Sequence, residues 1–209
     1  MSMTEAFVTE AERALAKLDP VLGALIRSQT LRDRTSRGDY FASLCRSIIG
    51  QQVSVAAASA IYKRFAEQTG LKPERVVDLS EAETKTIGLS RQKTSYLKDL
   101  AEHFVKDPAV YNHLETQTDE QVIAELTAVK GIGVWTAQMF LMFTLDRPDI
   151  FALDDVGLQR AMQRLYGWET LPSKKTLAAH AERWQPYRSV ASLHLWQLLD
   201  NVPLQAGKA

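Results

Sequence analysis

Two acids stand side by side at Asp154 and Asp155, between the apolar run Phe151-Ala-Leu153 and a segment, Val156 to Met162, whose periodicity is helical. Aspartate is favoured at helix starts because its carboxylate accepts from the unbonded amides of the first turn, so either residue is explained by capping alone. A carboxylate fixed at such a place also has a chemical use. Beside a cleft it can stabilise an oxocarbenium-like sugar, or orient a water, while a glycosidic bond breaks. A single carboxylate is enough when the leaving base is already cationic, as an N3- or N7-alkylated purine is, because no general acid then has to protonate it.

Upstream, Leu126 to Ala137 reads LTAVKGIGVWTA, in which Gly131 and Gly133 bracket Ile132 between two helical stretches. Glycine admits positive φ and carries no side chain, so the backbone there can approach another surface closely. A helix that begins near Gly133 points its first, unbonded amides outward, with the positive end of the helix dipole behind them. A phosphate fits such a turn, which makes Lys130, Gly131, Gly133 and Thr136 candidate contacts to a DNA backbone. A Gly-x-Gly joining two helices is equally what a plain tight turn looks like, and Lys130 is equally an ordinary solvated lysine.

Bulk properties narrow the field. The chain has 209 residues, enough for one large domain or two small lobes, and 25 basic residues against 25 acidic ones give a formal net charge of zero. That balance argues mildly against a nucleic-acid partner, so a case for one has to rest on local features. Cys45 is the single cysteine, which excludes an internal disulfide and a four-cysteine cluster, and the four histidines show no metal-ligand spacing. The acidic N-terminus lacks the pattern of a signal peptide, and no apolar run approaches the roughly 20 residues of a membrane span. A cytoplasmic, nucleoid-associated protein with no membrane partner is expected.

The elements that would carry these residues read as helices almost throughout. Asp19-Pro20, Asp39, Ser54 and Ser90 each stand as a cap before an apolar helical period, and Ser80 to Glu83 and Thr118 to Gln121 both fit the capping box. Gly70 is a stop. The alanines Ala56, Ala57, Ala58 and Ala60 suggest close helix packing. No window alternates as a strand does. The expectation is an all-α fold of nine or ten short helices, with polar connections at Arg32–Gly38 and Asp146–Asp149 as candidate hinges.

The hairpin together with the acid pair some twenty residues later resembles the helix-hairpin-helix DNA glycosylase superfamily, and within it the 3-methyladenine DNA glycosylase II group. The segments SIIGQQVSVAAA, GLSRQKTSYLKDLA, the hairpin-plus-aspartate block and ERWQPYRSVASLHLW match in order, from about Asp39 to Trp196. The resemblance implies two helical lobes with an active-site cleft between them, the hairpin lobe spanning residues 30–147 and the other formed by 1–29 and 148–209. It implies that Asp155 is the catalytic carboxylate and Asp154 a cap or support. Trp135 and Trp196 become walls of a base pocket, where a flipped cationic base stacks on π faces, although core packing explains either ring as well. Gln52 becomes the residue that fills the gap in the duplex. The carbonyls of Thr127, Val129 and Ile132 become ligands of a Na+ or K+ ion at the hairpin. Arg188 packs beneath the pocket, or else reaches a phosphate or the acid pair.

Two departures from the wider superfamily carry meaning. Members with lyase activity place a Schiff-base lysine where this chain has Trp135, so a monofunctional enzyme without lyase activity is expected. Branches with an iron–sulfur cluster need four cysteines. The partner implied is double-stranded DNA containing damaged bases, bound by a monomer. Two alternatives stay open: a glycosylase for deaminated, etheno or mismatched bases, and a non-catalytic helix-hairpin-helix DNA-binding module.

Overall fold

The computed structural model describes residues 3–31 and 39–200. The order of helices is α1 (Glu5–Leu18), α2 (Pro20–Arg27), α3 (Tyr40–Gly50), α4 (Val55–Thr69), α5 (Pro73–Val77), α6 (Glu81–Ile87) and α7 (Arg91–Lys106). It continues with α8 (Pro108–Tyr111), α9 (Asp119–Ala128), α10 (Val134–Phe143), α11 (Val156–Tyr166), α12 (Lys174–Ala181) and α13 (Arg188–Asp200). Short 3-10 turns lie at Leu114–Thr116 and Glu182–Trp184. Among the described residues there is no strand, and the fold is all-α as expected.

The helix starts follow the capping chemistry. Asp19 Oδ1 accepts from the amides of Val21 and Leu22, and Pro20 takes the first helical position, where its missing N–H costs nothing. Asp39, Ser54 and Ser90 cap α3, α4 and α7, and both capping boxes form, Ser80 with Glu83 and Thr118 with Gln121. Gly70 ends α4 at φ +60. The expected nine or ten helices prove too few. α5 and α8 are single-turn elements opened by a proline at the first position, too short for a period to show, and α1 carries its own cap at Thr4.

The chain divides into two compact units, Met1–Thr35 with Asp146–Ala209, and Ser36–Leu145. In the second unit, Leu44, Cys45, Ile48 and Ile49 of α3 and Leu97, Leu100 and Ala101 of α7 are wholly or almost wholly buried, with Phe65 and Leu126. In the first, Leu15, Leu22, Leu158, Met162, Leu177, Trp184 and Leu195 form the core. The expectation that Ala56, Ala57, Ala58 and Ala60 serve close packing is corrected. The first turns of α4 face solvent, Val55 is 88% exposed, and burial begins only at Phe65.

Of the two candidate hinges, Arg32–Gly38 lies outside the described residues. The other, Asp146–Asp149, is tied down at the start of α13. Ser189 donates from Oγ to the Arg147 carbonyl (2.7 Å) and from its amide to the Pro148 carbonyl (3.0 Å). Arg188 grips both carboxylate oxygens of Asp149 at 2.7 and 2.9 Å. These bonds tie the segment to α13 within its own unit.

Candidate active site and hairpin

Asp155 is the N-cap of α11. Its Oδ1 accepts from the Leu158 amide at 2.7 Å and from Trp196 Nε1, on α13, at 3.0 Å. The carboxylate is therefore held by a helix N-terminus, where the dipole favours negative charge, and by an indole donor at right distance for a full hydrogen bond. The cap is what fixes the carboxylate. Asp154, expected as a cap or support, does not cap. It is exposed and pairs with Lys174 at the start of α12.

Gly157, which no sequence motif singles out, belongs to this arrangement. A Cβ at that position would lie 2.8 Å from Asp155 Oδ1 and 3.3 Å from Trp196 Cδ1. The absence of a side chain is what lets carboxylate and indole meet. The only signal in sequence was a glycine in the first turn of a helix, where glycine is otherwise a poor choice.

Arg188 pairs with Asp149 rather than with Asp154 or Asp155. Trp196 is part-buried, and its N–H donates to Asp155 Oδ1. Trp135 sits at the second position of α10 in the other unit and is 48% exposed, which rules out core packing as the reason for a tryptophan there.

In the hairpin, α9 ends at Ala128 and Gly133 caps α10. Val129 and Ile132 are buried, and the Ile132 amide donates to the Val129 carbonyl at 3.1 Å. Gly131 adopts φ +83, and a Cβ there would stand 2.2 Å from the ring of Tyr96, so both conformation and packing demand glycine. Gly133 differs: its φ is −96, and a Cβ would meet nothing within 4 Å. Neither backbone conformation nor packing demands glycine there, although glycine is a favoured N-cap residue. The first hydrogen bond of α10 runs from the Ala137 amide to the Gly133 carbonyl, so the amides of Val134 and Thr136 precede the ladder. Thr136 is buried.

Lys130 has an exposed side chain with a carboxylate partner. Its ammonium pairs with Asp99 Oδ1 at 2.9 Å, and its amide donates to Asp99 Oδ2 at 2.8 Å. Burial pushes the Asp99 carboxyl upward, but the Lys130 bonds and charge outweigh it and hold the carboxyl below its usual range. Carbonyls at the C-terminal end of α9, including Thr127 and the turn residue Val129, are neutral oxygens at the negative end of a helix. That donor chemistry fits a monovalent cation. Among the described residues no group of three or more His, Cys, Asp or Glu could hold a metal ion.

Gln52 stands at φ +56, in the left-handed region that non-glycine residues seldom occupy, and its side chain is exposed. Strain of this kind clusters at functional positions. Val53 and Val55 beside it are also exposed, at 39% and 88%.

Residues 45–186 match the model of the HhH-GPD superfamily of base excision DNA repair proteins. The chain belongs to that superfamily. Its match to YfjP of Bacillus subtilis, named provisionally as a DNA-3-methyladenine glycosylase, is 32% identical over 173 residues and covers 78% of this chain and 60% of that relative's length. The fold superimposes on a DNA-3-methyladenine glycosidase from Bacillus halodurans with a TM-score of 0.83 and 35% identity, covering 96% of this chain and 92% of the other. It superimposes on the 3-methyladenine DNA glycosylase of Schizosaccharomyces pombe, solved in complex with abasic DNA, with a TM-score of 0.79 and 28% identity, covering 91% and 97%. For an HhH-GPD protein, the hairpin at Val129–Gly133 and the helix capped by Asp155 are the two parts that its sequence and its structure both single out.

Proposed function

We propose that this chain is a monofunctional DNA glycosylase of base excision repair that hydrolyses the N-glycosidic bond of alkylated purines in duplex DNA. The observation that carries the reading is the Asp155 carboxylate, fixed by the Leu158 amide and Trp196 Nε1 in a member of this superfamily. The names of its relatives in Bacillus and Schizosaccharomyces favour 3-methyladenine and similar lesions as substrates.

The chemistry follows from charge. The extruded base leaves as the bond to C1′ lengthens, and positive charge develops on the sugar. A preoriented carboxylate stabilises that charge without reorganising at the moment of reaction, and water then attacks C1′. A purine alkylated at N3 or N7 carries its own positive charge, so its departure needs no acid. The rings of Trp135 and Trp196 are assigned as stacking surfaces for the cationic base, an interaction that grows stronger when both are desolvated. The amides that open α10, with Gly131 and Gly133, are assigned to DNA phosphates, and the Thr127, Val129 and Ile132 carbonyls would hold a Na+ or K+ ion that would supply positive charge beside them. Gln52 is assigned to the gap left by the flipped base. Trp135 stands where a Schiff-base lysine would be needed, so the product is an intact abasic site.

The test uses Asp155→Asn and a panel of duplexes carrying alkylated, deaminated or etheno bases. Asparagine caps a helix about as well as aspartate, so the fold is kept while the charge is lost. Base release is expected to fall by at least about a hundredfold with duplex binding largely retained, and borohydride should trap no covalent adduct with the wild-type protein. Undiminished release by Asp155→Asn would mean that the aspartate is only a cap and would favour a binding module.

A further inference from the structure

The wedge residue and the hairpin are joined by side chains that the proposed chemistry does not use. Gln51, the C-cap of α3 and the residue just before Gln52, donates from Nε2 to the carbonyl of Gly131 at 2.9 Å. Lys93, on α7, donates from Nζ to the carbonyl of Ile49, in the last turn of α3, at 2.7 Å. Burial lowers the Lys93 pKa, as expected for an ammonium turned inward to a carbonyl. Further along α7, the ring of Tyr96 lies against Gly131, and Asp99 binds both the amide and the ammonium of Lys130. Lys93, Tyr96 and Asp99 are spaced at i, i+3 and i+6, so they run down one side of a single helix. That side holds the end of α3 at one point and the hairpin turn at two. Gln51 closes the arrangement by bonding the α3 end to the hairpin directly.

We infer that Gln51 and Lys93 are positioning residues that lock Gln52 at a fixed distance from the hairpin, so that the backbone grip and the gap-filling side chain act on DNA as one piece. The inference rests on the assignment of Gln52 as the wedge. Its physical basis is the conformation of that residue. A left-handed non-glycine residue costs roughly 1–2 kcal/mol and persists only where its surroundings over-determine it. Here the chain is pinned before Gln52 by Lys93 and Gln51, and after it by Ser54, whose hydroxyl accepts from the Ala57 amide. The hairpin sets the register of the protein on the phosphates, and the wedge must enter the stack at one step of that register. A shift on the order of 1 Å between the two would spoil the fit of the plug.

A double-mutant cycle tests this on two probes, a duplex containing one tetrahydrofuran abasic-site analogue and the same duplex undamaged. The quantity read is the ratio of the two affinities for the wild-type protein, Gln51→Ala, Gln52→Ala and the double variant. Gln51→Ala is expected to lower the ratio about tenfold in the native background, and to cost nothing further once Gln52 is alanine, because Gln51 acts through Gln52. Gln51→Glu, which keeps the shape but cannot donate when ionised, and Lys93→Met should behave the same way. Equal losses with and without Gln52 would mean a merely structural role and overturn the inference, as would an unaltered ratio in Gln51→Ala or a wild-type protein with no preference for the abasic duplex. Base release is not part of this readout. A wild-type protein that binds the abasic duplex selectively but frees no alkylated base would sink the proposed activity and leave the positioning role standing.

Discussion

Gly157 occupies the second position of α11, where alanine is ordinarily preferred to glycine by up to about 1 kcal/mol. The surroundings reverse that preference, because the added methyl would press on an Asp155 oxygen that two donors already hold. For Gly157→Ala the expected result is therefore a split between fold and chemistry. Thermal stability stays within a few degrees of wild type, helix propensity offsetting the local crowding, while single-turnover base release drops at least about tenfold. A variant as fast as wild type would show that the carboxylate tolerates displacement. Asp155 itself was legible as a candidate because its residue type and its place before a helix are local facts. Its partner Trp196 lies 41 positions away, and no period or spacing linked the two.

At the scale of the element, the hairpin contains two glycines with different duties. Gly131 is demanded from inside, by φ +83 and by Tyr96. At Gly133 neither a positive φ nor a clash at Cβ requires glycine. Gly131→Ala should cost at least about 2 kcal/mol in urea denaturation, the left-handed penalty adding to displacement of the ring. Gly133→Ala should cost under about 1 kcal/mol, the small difference between glycine and alanine at an N-cap, yet weaken binding to duplex DNA severalfold. Wild-type duplex affinity in Gly133→Ala would remove the case for a close backbone approach at that residue. The helix ends were legible because caps act within three or four residues. The supports from α7 were not: Asp99 and Lys130 are 31 apart and Lys93 and Ile49 are 44 apart.

At the scale of the molecule, two buried polar centres in the terminal unit make stability depend on pH. Asp19 is 4% exposed and accepts from Tyr166 and Trp184 through Oδ2, with His180 Nε2 at 3.5 Å from the same oxygen. Burial raises its pKa, but the bonds from Tyr166, Leu22 and Trp184 and the proximity of His180 outweigh it, and the net direction is down. His180 is lowered mainly by burial, with Arg183 adding to it and Asp19 opposing. His194, buried between Glu12 and Gln29, is also lowered mainly by burial, against the pull of Glu12. A group with a depressed folded pKa binds fewer protons folded than unfolded, so its contribution is complete above the unfolded value and is lost as pH falls through the folded one. The histidines therefore weaken the fold on descending below about pH 6.5, and Asp19 adds to this below about pH 4. Urea denaturation at pH 8, 6 and 4.5 should give a steadily lower unfolding free energy across that series. A flat profile would show that these groups stay as accessible folded as unfolded.

What the sequence by itself determined is whatever is set within a turn or two of chain: the all-α class, the capped helix starts, the hairpin and the acid pair. These rest on backbone satisfaction and on the 3.6-residue period, which neighbouring residues decide. Where the local signal was a composition, it misled, as with the alanines of α4, which read as packing residues and face solvent. Tertiary structure alone decided which donors hold Asp155, why Gly157 has no side chain, that Lys130 pairs with Asp99, and that Gln51 reaches the hairpin. Each of these is a contact between elements distant in sequence. Such contacts depend on how helices pack, which a period can permit but cannot specify.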